Sequence, residues 1–469
     1  MDREQLGLVG GLAADRPVIV LLVIAFGLTA LSAAGAADPN SGPETRAAIL
    51  AFIAAGACIA GIPLLVASAA PVRLAGRLGL CVAVMILSVG LIVWGPIEPA
   101  ALLTAPGAIA AAAAFAVLLV ISAPSFGAAA QFAYVSAAAA LLGAAGGAGL
   151  MGLQGAPQLI GPIASIALAV GAVAGFAAIC DFAALFARGA ERRQAAGAAA
   201  QFGAGPALYS AVAAAGAFGI LYEAPIESRL AAAGFTCAAV IAAAFGAIFA
   251  SAGALALRHS TEALAVKENR RREAFRQFWR PIRRLIPPST ANATVAIAAI
   301  AVIAAAFDMR TPFEMSLSGY VIAAAGAAGL IFFSLRAGIF VFFSLFVGAV
   351  IAKWIWFAFE APPLGPAEDA AAVGLCAALL GQLAIAWRDA RSPRLNARET
   401  AEATMADAAR LYVLGALFGI VAYFAASASG LWPGGGLAAA EAGVMSVIGL
   451  LLAPALMTAL SDAVRRELQ

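Results

Sequence analysis

The chain has 469 residues, of which 64% are hydrophobic and 11% are charged, and its formal net charge is +3. Soluble proteins carry about a quarter charged residues, so this composition excludes an ordinary soluble globular protein. It predicts an all-α fold, a polytopic membrane protein whose helices approach closely through their many Ala and Gly residues.

The N-terminus mixes acidic and basic residues, unlike the basic start of a cleaved signal peptide. The first apolar run, residues 17–36, is also longer than a typical signal-peptide core, so we expect a retained helix there. Hydropathy predicts about fourteen transmembrane helices in all. The predicted spans are 17–36, 47–67, 78–95, 102–123, 129–150, 160–187, 203–222, 230–257, 290–307, 318–335, 338–359, 368–387, 408–428 and 438–460.

The positions of the arginines predict the topology. With the N-terminus inside, the predicted outer loops hold only Arg46, Arg229 and Arg310. This positive-inside pattern predicts that both termini are cytoplasmic. A composition rich in Ala, Gly and Arg with few lysines fits a GC-rich genome and favours a bacterial inner membrane. The predicted inner loops hold Arg73, Arg77, Arg188, Arg192, Arg193, Arg336, Arg388, Arg465 and Arg466, among others.

A charged linker, residues 258–289, separates an N-terminal half, 1–257, with eight predicted helices from a C-terminal half, 290–469, with six. Its apolar residues share one helical face, which predicts a basic amphipathic helix on the inner leaflet. The alternative is an arginine cluster that only sets the topology. We expect no nucleic-acid binding from so short a segment against a membrane. The candidate membrane-surface residues are Arg270, Arg271, Arg272, Arg276, Arg280, Arg283 and Arg284.

The two halves look like weak copies of each other. Ser125 corresponds to Ser334 and Asp181 to Gln382, at an offset of about 205 residues. Internal repeats of this kind are frequent in transporters. We therefore expect a helix bundle built from two related halves.

Asp181 lies inside an apolar run and seven residues before Arg188. At about 1.5 Å rise per residue it lies roughly 10 Å inside the membrane. A charge inside a membrane helix costs about 2.5–3.5 kcal/mol on insertion scales and usually marks a functional position. Asp181 is therefore a candidate proton-coupling or ligand-coupling residue, and the alternative is a structural polar contact. Gln382 is either its coupling partner or a residue that holds helices together.

Other polar residues favour simpler roles. Glu441 and Lys353 lie near the outer ends of their predicted spans, where we expect them to reach the headgroups as interfacial anchors. The only histidine, His259, is expected to be a solvated surface residue and cannot form a two-histidine metal site alone. The chain has no Gly-rich loop ending in Gly-Lys-Ser/Thr, which excludes an ATP motor. We expect no enzyme activity, no metal and no cofactor.

The segments 180–193, 203–222, 332–338 and 449–460, in this order and spacing, resemble the transmembrane region of the resistance–nodulation–division superfamily, in particular its large lipid-exporter (MMPL-like) branch. Relative to that family, the helix pair near 47–95 is an insertion. The loops 37–46 and 308–317 are too short for the family's periplasmic porter domains. The family's acid on the fourth helix has a polar partner on the tenth, where this chain offers only Gln382.

The resemblance implies a transporter-like protein that uses the proton-motive force to move lipids or other hydrophobic molecules. Asp181 would carry the proton, and the partners would be membrane lipids and a hydrophobic substrate. One alternative is a membrane scaffold or accessory subunit that retains a degenerate transporter bundle and binds partner membrane proteins or a second copy of itself. Another is a fourteen-helix flippase of a different superfamily.

Overall fold

The computed structural model describes residues 8–17, 159–257, 335–389, 396–428 and 432–467, apart from single positions in these ranges, and a few single residues elsewhere. Every regular element in these ranges is a helix. We number the helices in chain order. They are α1 (Leu8–Asp15), α2 (Ile160–Ala187), α3 (Arg192–Leu221), α4 (Ile226–Leu257), α5 (Leu335–Ala358), α6 (Pro366–Asp389), α7 (Ala397–Ala428) and α8 (Gly435–Glu467).

Six of these helices, α2–α6 and α8, are long and apolar enough to cross a membrane. Helix α7 adds a seventh span if the two segments on either side of its 43° bend are taken together. The seven predicted spans between 160 and 257 and between 338 and 460 fall on these helices, and the all-α membrane fold is confirmed. The other predicted spans lie outside the described residues, apart from single residues of the first and Leu335 at the end of 318–335, and so do the linker arginines.

Helices α3 and α7 each begin well before the predicted spans, at 192 rather than 203 and at 397 rather than 408. Their first turns are rich in Ala, Glu, Gln and Arg, which favour helix but are too polar for a hydropathy signal. Asn396 also caps α7. The Glu399 N–H donates to the Asn396 side-chain oxygen at 2.8 Å, and the Asn396 N–H donates to the Glu399 carboxylate at 2.9 Å. This reciprocal capping box fixes the start of the helix.

Helix α2 ends at a glycine in a left-handed conformation, Gly189, with φ of 88°. The Ala190 N–H donates to the Leu185 carbonyl at 3.2 Å, and the Gly189 N–H donates to the Phe186 carbonyl at 3.0 Å. These bonds form a Schellman motif, which satisfies carbonyls that the helix end leaves open. The chain then turns into α3 within a few residues.

We expect the substitution Gly189→Ala to lower the free energy of unfolding by about 1–2 kcal/mol, because a Cβ disfavours the left-handed conformation. A methyl group at Gly189 has open space around it, so backbone conformation alone sets this cost. Gly216→Ala inside α3 is the matched control, since its Cβ position is also open and its φ is helical. Denaturant titration in detergent micelles measures both. Equal effects of the two variants would contradict the Gly189 argument.

The described helices fall into two compact units, and each has its own packing. The first unit comprises α1, α2, α3 through Leu208, α4 from Gly234, and Val421–Gly436. The second unit comprises α3 from Tyr209, α4 through Ala233, α5, α6, α7 through Ile420, and α8 from Leu437.

In the first unit, α2 is the central helix. Every residue from Gly161 to Phe176 is buried, as expected for a helix that is apolar on all sides. The backbones of α1 and α3 meet nearby, since a Cβ on Gly10 would lie 2.7 Å from the Gly197 carbonyl oxygen. Small residues thus allow the close helix contacts that the composition predicts.

In the second unit, α6 takes the central place. Its residues from Ala370 to Gly381 are all buried. Gly381 of α6 meets the Tyr209 ring of α3, and Leu375 of α6 meets Gly419 of α7. Helix α5 packs on α6, where the rings of Phe340 and Trp387 lie 5.9 Å apart. These contacts place α6 against several neighbours and position its polar residues between helices.

Candidate functional site

Asp181 lies on α2 in the first unit, just beyond the fully buried part of that helix. The residues before it are buried, and Asp181 itself is partly exposed. The next residue, Phe182, is fully buried and stacks on Phe186 at 5.6 Å between ring centroids. This side chain thus lies at the border between the apolar core and the exposed end of α2 at Ala187–Gly189. At this border, the carboxyl group of Asp181 is next to both the apolar core and the exposed end of the helix.

Gln382 lies on α6 in the second unit and holds α6 to α3. Its amide donates to the Ser210 hydroxyl at 3.3 Å, and that hydroxyl donates to the Ala378 carbonyl at 3.2 Å. Ser210 is fully buried. This is the contact expected of a residue that joins helices. A coupling role for Gln382 stays a prediction.

The Gln382–Ser210 bond predicts a measurable coupling energy. In a double-mutant cycle with Gln382→Ala and Ser210→Ala, we expect a coupling of about 0.6 kcal/mol in the free energy of unfolding, the average for such bonds in membranes. Denaturant titration of the four proteins in micelles measures it. Strictly additive losses would show that the bond contributes nothing to the packing of α3 on α6.

A charged cluster lies in the second unit where α5, α6 and α8 meet. The Lys353 ammonium on α5 contacts the Asp369 carboxylate on α6 at 2.8 Å. The Glu441 carboxyl on α8 interacts electrostatically with both groups. Glu441 is 0% exposed, whereas the Lys353 and Asp369 side chains are 20% and 17% exposed. We call these three residues the acid–lysine cluster.

The carboxyl oxygens of this cluster lack hydrogen bonds. Among the residues that the structure describes, neither oxygen of Glu441 has a hydrogen-bond partner, and Asp369 Oδ1 has none either. Glu441 faces Asp369, and because ionised carboxylates only accept hydrogen bonds, neither can donate to the other while both are ionised. With all three side chains ionised, the cluster carries a net charge of −1 in an apolar setting. Buried polar groups are normally paired, so this exception calls for an explanation.

The prediction that Glu441 anchors at the headgroups is wrong, because its side chain is fully buried. Lys353 pairs with Asp369, a residue that the sequence analysis did not single out. The three charged residues come from three different helices. The electrostatic attraction among them competes with the tendency of long charged side chains to extend toward water. A sequence signal existed nonetheless, since the cluster combines ionisable residues of opposite charge near the ends of three apolar spans.

Further along α6 lies a second group of polar contacts that the sequence analysis did not predict. The Cys376 thiol lies 3.5 Å from the Ser446 hydroxyl of α8, and it also contacts the Ala442 carbonyl at 3.6 Å. The Tyr412 hydroxyl of α7 donates to the Ser446 carbonyl at 3.1 Å. Cys376 lies two helical turns from Asp369, on the same face of α6. Polar contacts therefore continue along the α6–α8 interface from the acid–lysine cluster.

Within the described ranges, no group of three or more His, Cys, Asp and Glu residues could hold a metal ion. The side chains at these positions can bind protons, form ion pairs and form hydrogen bonds. Asp181, Asp369 and Glu441 are acidic groups in the described spans that can bind a proton.

Comparisons with known proteins bear on the fold. No family model and no curated protein sequence matches the chain. The chain is similar to the crystal structure of SecDF, a translocon-associated membrane protein from Thermus thermophilus, with a TM-score of 0.51 and 12% identity over 77% of this chain and 62% of that one. It is equally similar to SecDF in a super-membrane-facing form, with a TM-score of 0.52 and 12% identity over the same shares.

The chain thus spans about three fifths of the length of the SecDF chains that it matches. At 12% identity the likeness concerns the fold and not the activity. The assignment to the resistance–nodulation–division superfamily, its lipid-exporter branch and the missing porter domains stay predictions. The chain is a multi-pass helical membrane protein whose fold is similar to that of SecDF, a translocon-associated membrane protein.

Proposed function

We propose that the chain is a proton-coupled transporter-like protein of a bacterial inner membrane that moves lipids or other hydrophobic compounds. Both termini would be cytoplasmic, and the work would be transport without covalent chemistry. The observation that carries the proposal is the position of Asp181, a partly exposed acid at the edge of the buried helix α2. The SecDF-like fold supports a transporter-like or translocon-associated role in general.

The proposed mechanism uses the cost of burying a charge. When Asp181 is ionised, moving it into the apolar part of α2 is unfavourable, and a proton removes most of that cost. Binding and release of a proton would therefore change which packing of α2 is favoured. Glycines also line the contacts of α1 with α3 and of α3 with α4. Such contacts between small residues would allow neighbouring helices to shift when the packing of α2 changes. A proton gradient could then drive the change in one direction.

Inverted membrane vesicles from the host test the proposal. The vesicles are energised by respiration, and transfer of a fluorescent lipid analogue between the leaflets is measured. We expect transfer to depend on the chain, to stop on addition of a protonophore, and to be lost in Asp181→Asn. Transfer that is the same in vesicles from a deletion strain would contradict the lipid-transport proposal.

A second candidate function is an accessory subunit that works with other membrane proteins. The fold similarity favours it, because SecDF is described as translocon-associated. For this chain, the accessory role predicts impaired export of secreted proteins in a deletion strain and unchanged lipid transfer. Pulse-labelling of an exported protein distinguishes the two functions. The SecDF-like fold lends no support to a flippase of another superfamily.

A further inference from the structure

The acid–lysine cluster of Lys353, Asp369 and Glu441 is separate from Asp181, and nothing in the proposed function uses it. Its unusual feature is that neither carboxyl oxygen of Glu441, a residue with 0% exposure, has a hydrogen-bond partner among the residues that the structure describes. A carboxylate buried in this way without a hydrogen-bond donor is costly. Some bound species must offset that cost.

Charge balance identifies the species. One cation, Lys353, faces two carboxyl groups, so the cluster is neutral only when it holds one additional positive charge. A proton on Glu441 supplies that charge. It also makes Glu441 a donor that faces Asp369, whose Oδ1 lacks a partner among the described residues. One proton therefore neutralises the cluster and gives two buried oxygens a partner.

The geometry also indicates which carboxyl is ionised. Asp369 lies in the first turn of α6, where the helix dipole favours a negative charge, and it already pairs with Lys353. Glu441 lies within α8 beyond the first turn and has no such support. Asp369 is therefore the carboxylate, and Glu441 is the acid.

A metal cation fits less well than a proton. Hard cations need about six oxygen ligands, whereas three carboxyl oxygens are available here and an ammonium group already occupies the cluster. The other titratable group that faces Glu441 is the Cys376 thiol on α6, which is neutral in its ordinary form. No additional positive side chain in the described residues interacts with Glu441.

We propose that Lys353, Asp369 and Glu441 form a proton-binding site, in which Glu441 carries a proton shared with Asp369 and Lys353 is the fixed counter-ion. The Lys353 and Asp369 side chains are partly exposed, so the cluster reaches the surface of the protein next to the first turn of α6. The site lies in the second unit, on helices other than the one that holds Asp181. It would give the protein a second protonatable group.

Infrared spectroscopy of the purified full chain in lipid nanodiscs tests this proposal. At neutral pH, exposed carboxyls are ionised, so the carbonyl stretch of a protonated carboxyl reports buried acids. We expect Glu441→Gln to remove one such band completely and Asp181→Asn to leave that band in place. Glu368→Gln, a neighbouring acid in the first turn of α6, is the matched control and should also leave it. An unchanged spectrum in Glu441→Gln overturns the proposal.

A second variant covers the case in which Glu441→Gln does not fold. In Asp369→Asn, Lys353 loses its carboxylate, so Glu441 should ionise to replace it and the same band should disappear. A band that persists in Asp369→Asn contradicts the shared-proton arrangement. Replacing sodium with choline at constant pH should not change the wild-type band. A band that appears only without sodium would assign the site to a metal cation and overturn the proposal.

Discussion

Replacing Gly381 with alanine should lower the free energy of unfolding by about 2 kcal/mol, in the range of overpacked cores. A Cβ on Gly381 would overlap the ring of Tyr209, and both residues are buried. The ring is a rigid body in the contact between α3 and α6, so relief requires movement of a helix or of the ring within a filled core. Denaturant titration in detergent micelles measures the loss.

The control for this prediction is the same substitution in a background that lacks the Tyr209 ring. In a Tyr209→Leu background, Gly381→Ala should cost less than in the wild type, because a leucine side chain can move aside. Gly234→Ala, at a helical position with open space, should cost nothing. An equal cost of Gly381→Ala in both backgrounds would argue against the collision with Tyr209.

Lys353→Met should destabilise the protein by about 2 kcal/mol, because it leaves Asp369 and Glu441 without a cation. Removing one partner of a fully buried ion pair costs roughly 3–5 kcal/mol, and the partial exposure of this pair reduces the loss. The double variant Lys353→Met/Asp369→Asn should recover part of it. Unfolding in micelles at neutral pH is the measurement.

The exposed pair of Arg398 and Glu402 provides the reference for the Lys353 result. These residues are 2.9 Å apart on one helix, with side chains 48% and 33% exposed. Arg398→Met should cost less than about 0.5 kcal/mol, since water and salt screen such pairs. If Lys353→Met cost no more than Arg398→Met, the acid–lysine cluster would be an ordinary surface ion pair.

The sequence was sufficient to predict the membrane fold. The spans on α2, α5 and α6 differ from the predicted ranges by at most a few residues, because long apolar runs and their charged flanks are strong local signals. The early starts of α3 and α7 were not predicted. The residues there are polar, and their helix is fixed by propensity and by the Asn396 capping box, which hydropathy does not detect.

The candidate sites were less predictable. Asp181 and Gln382 were found because each is a polar residue inside an apolar span, but their partners depend on how the helices pack. Gln382 meets Ser210, which is 172 positions away in the sequence. Glu441 was misplaced because its position near a helix end does not show whether that end faces lipid or other helices. Glu441 is buried because of how α8 packs against other helices, and the residues around position 441 in the sequence do not reveal that packing.

The central claim is that Asp181 carries the proton that powers transport. The most direct test is to replace the chromosomal copy with Asp181→Asn in the native host and to compare envelope lipid composition with the wild type, Asp181→Glu and a deletion strain. With protein levels matched, the account predicts that Asp181→Asn has the lipid composition of the deletion strain, while Asp181→Glu retains partial function. A wild-type lipid composition in Asp181→Asn, together with an altered composition in the deletion strain, would contradict the claim.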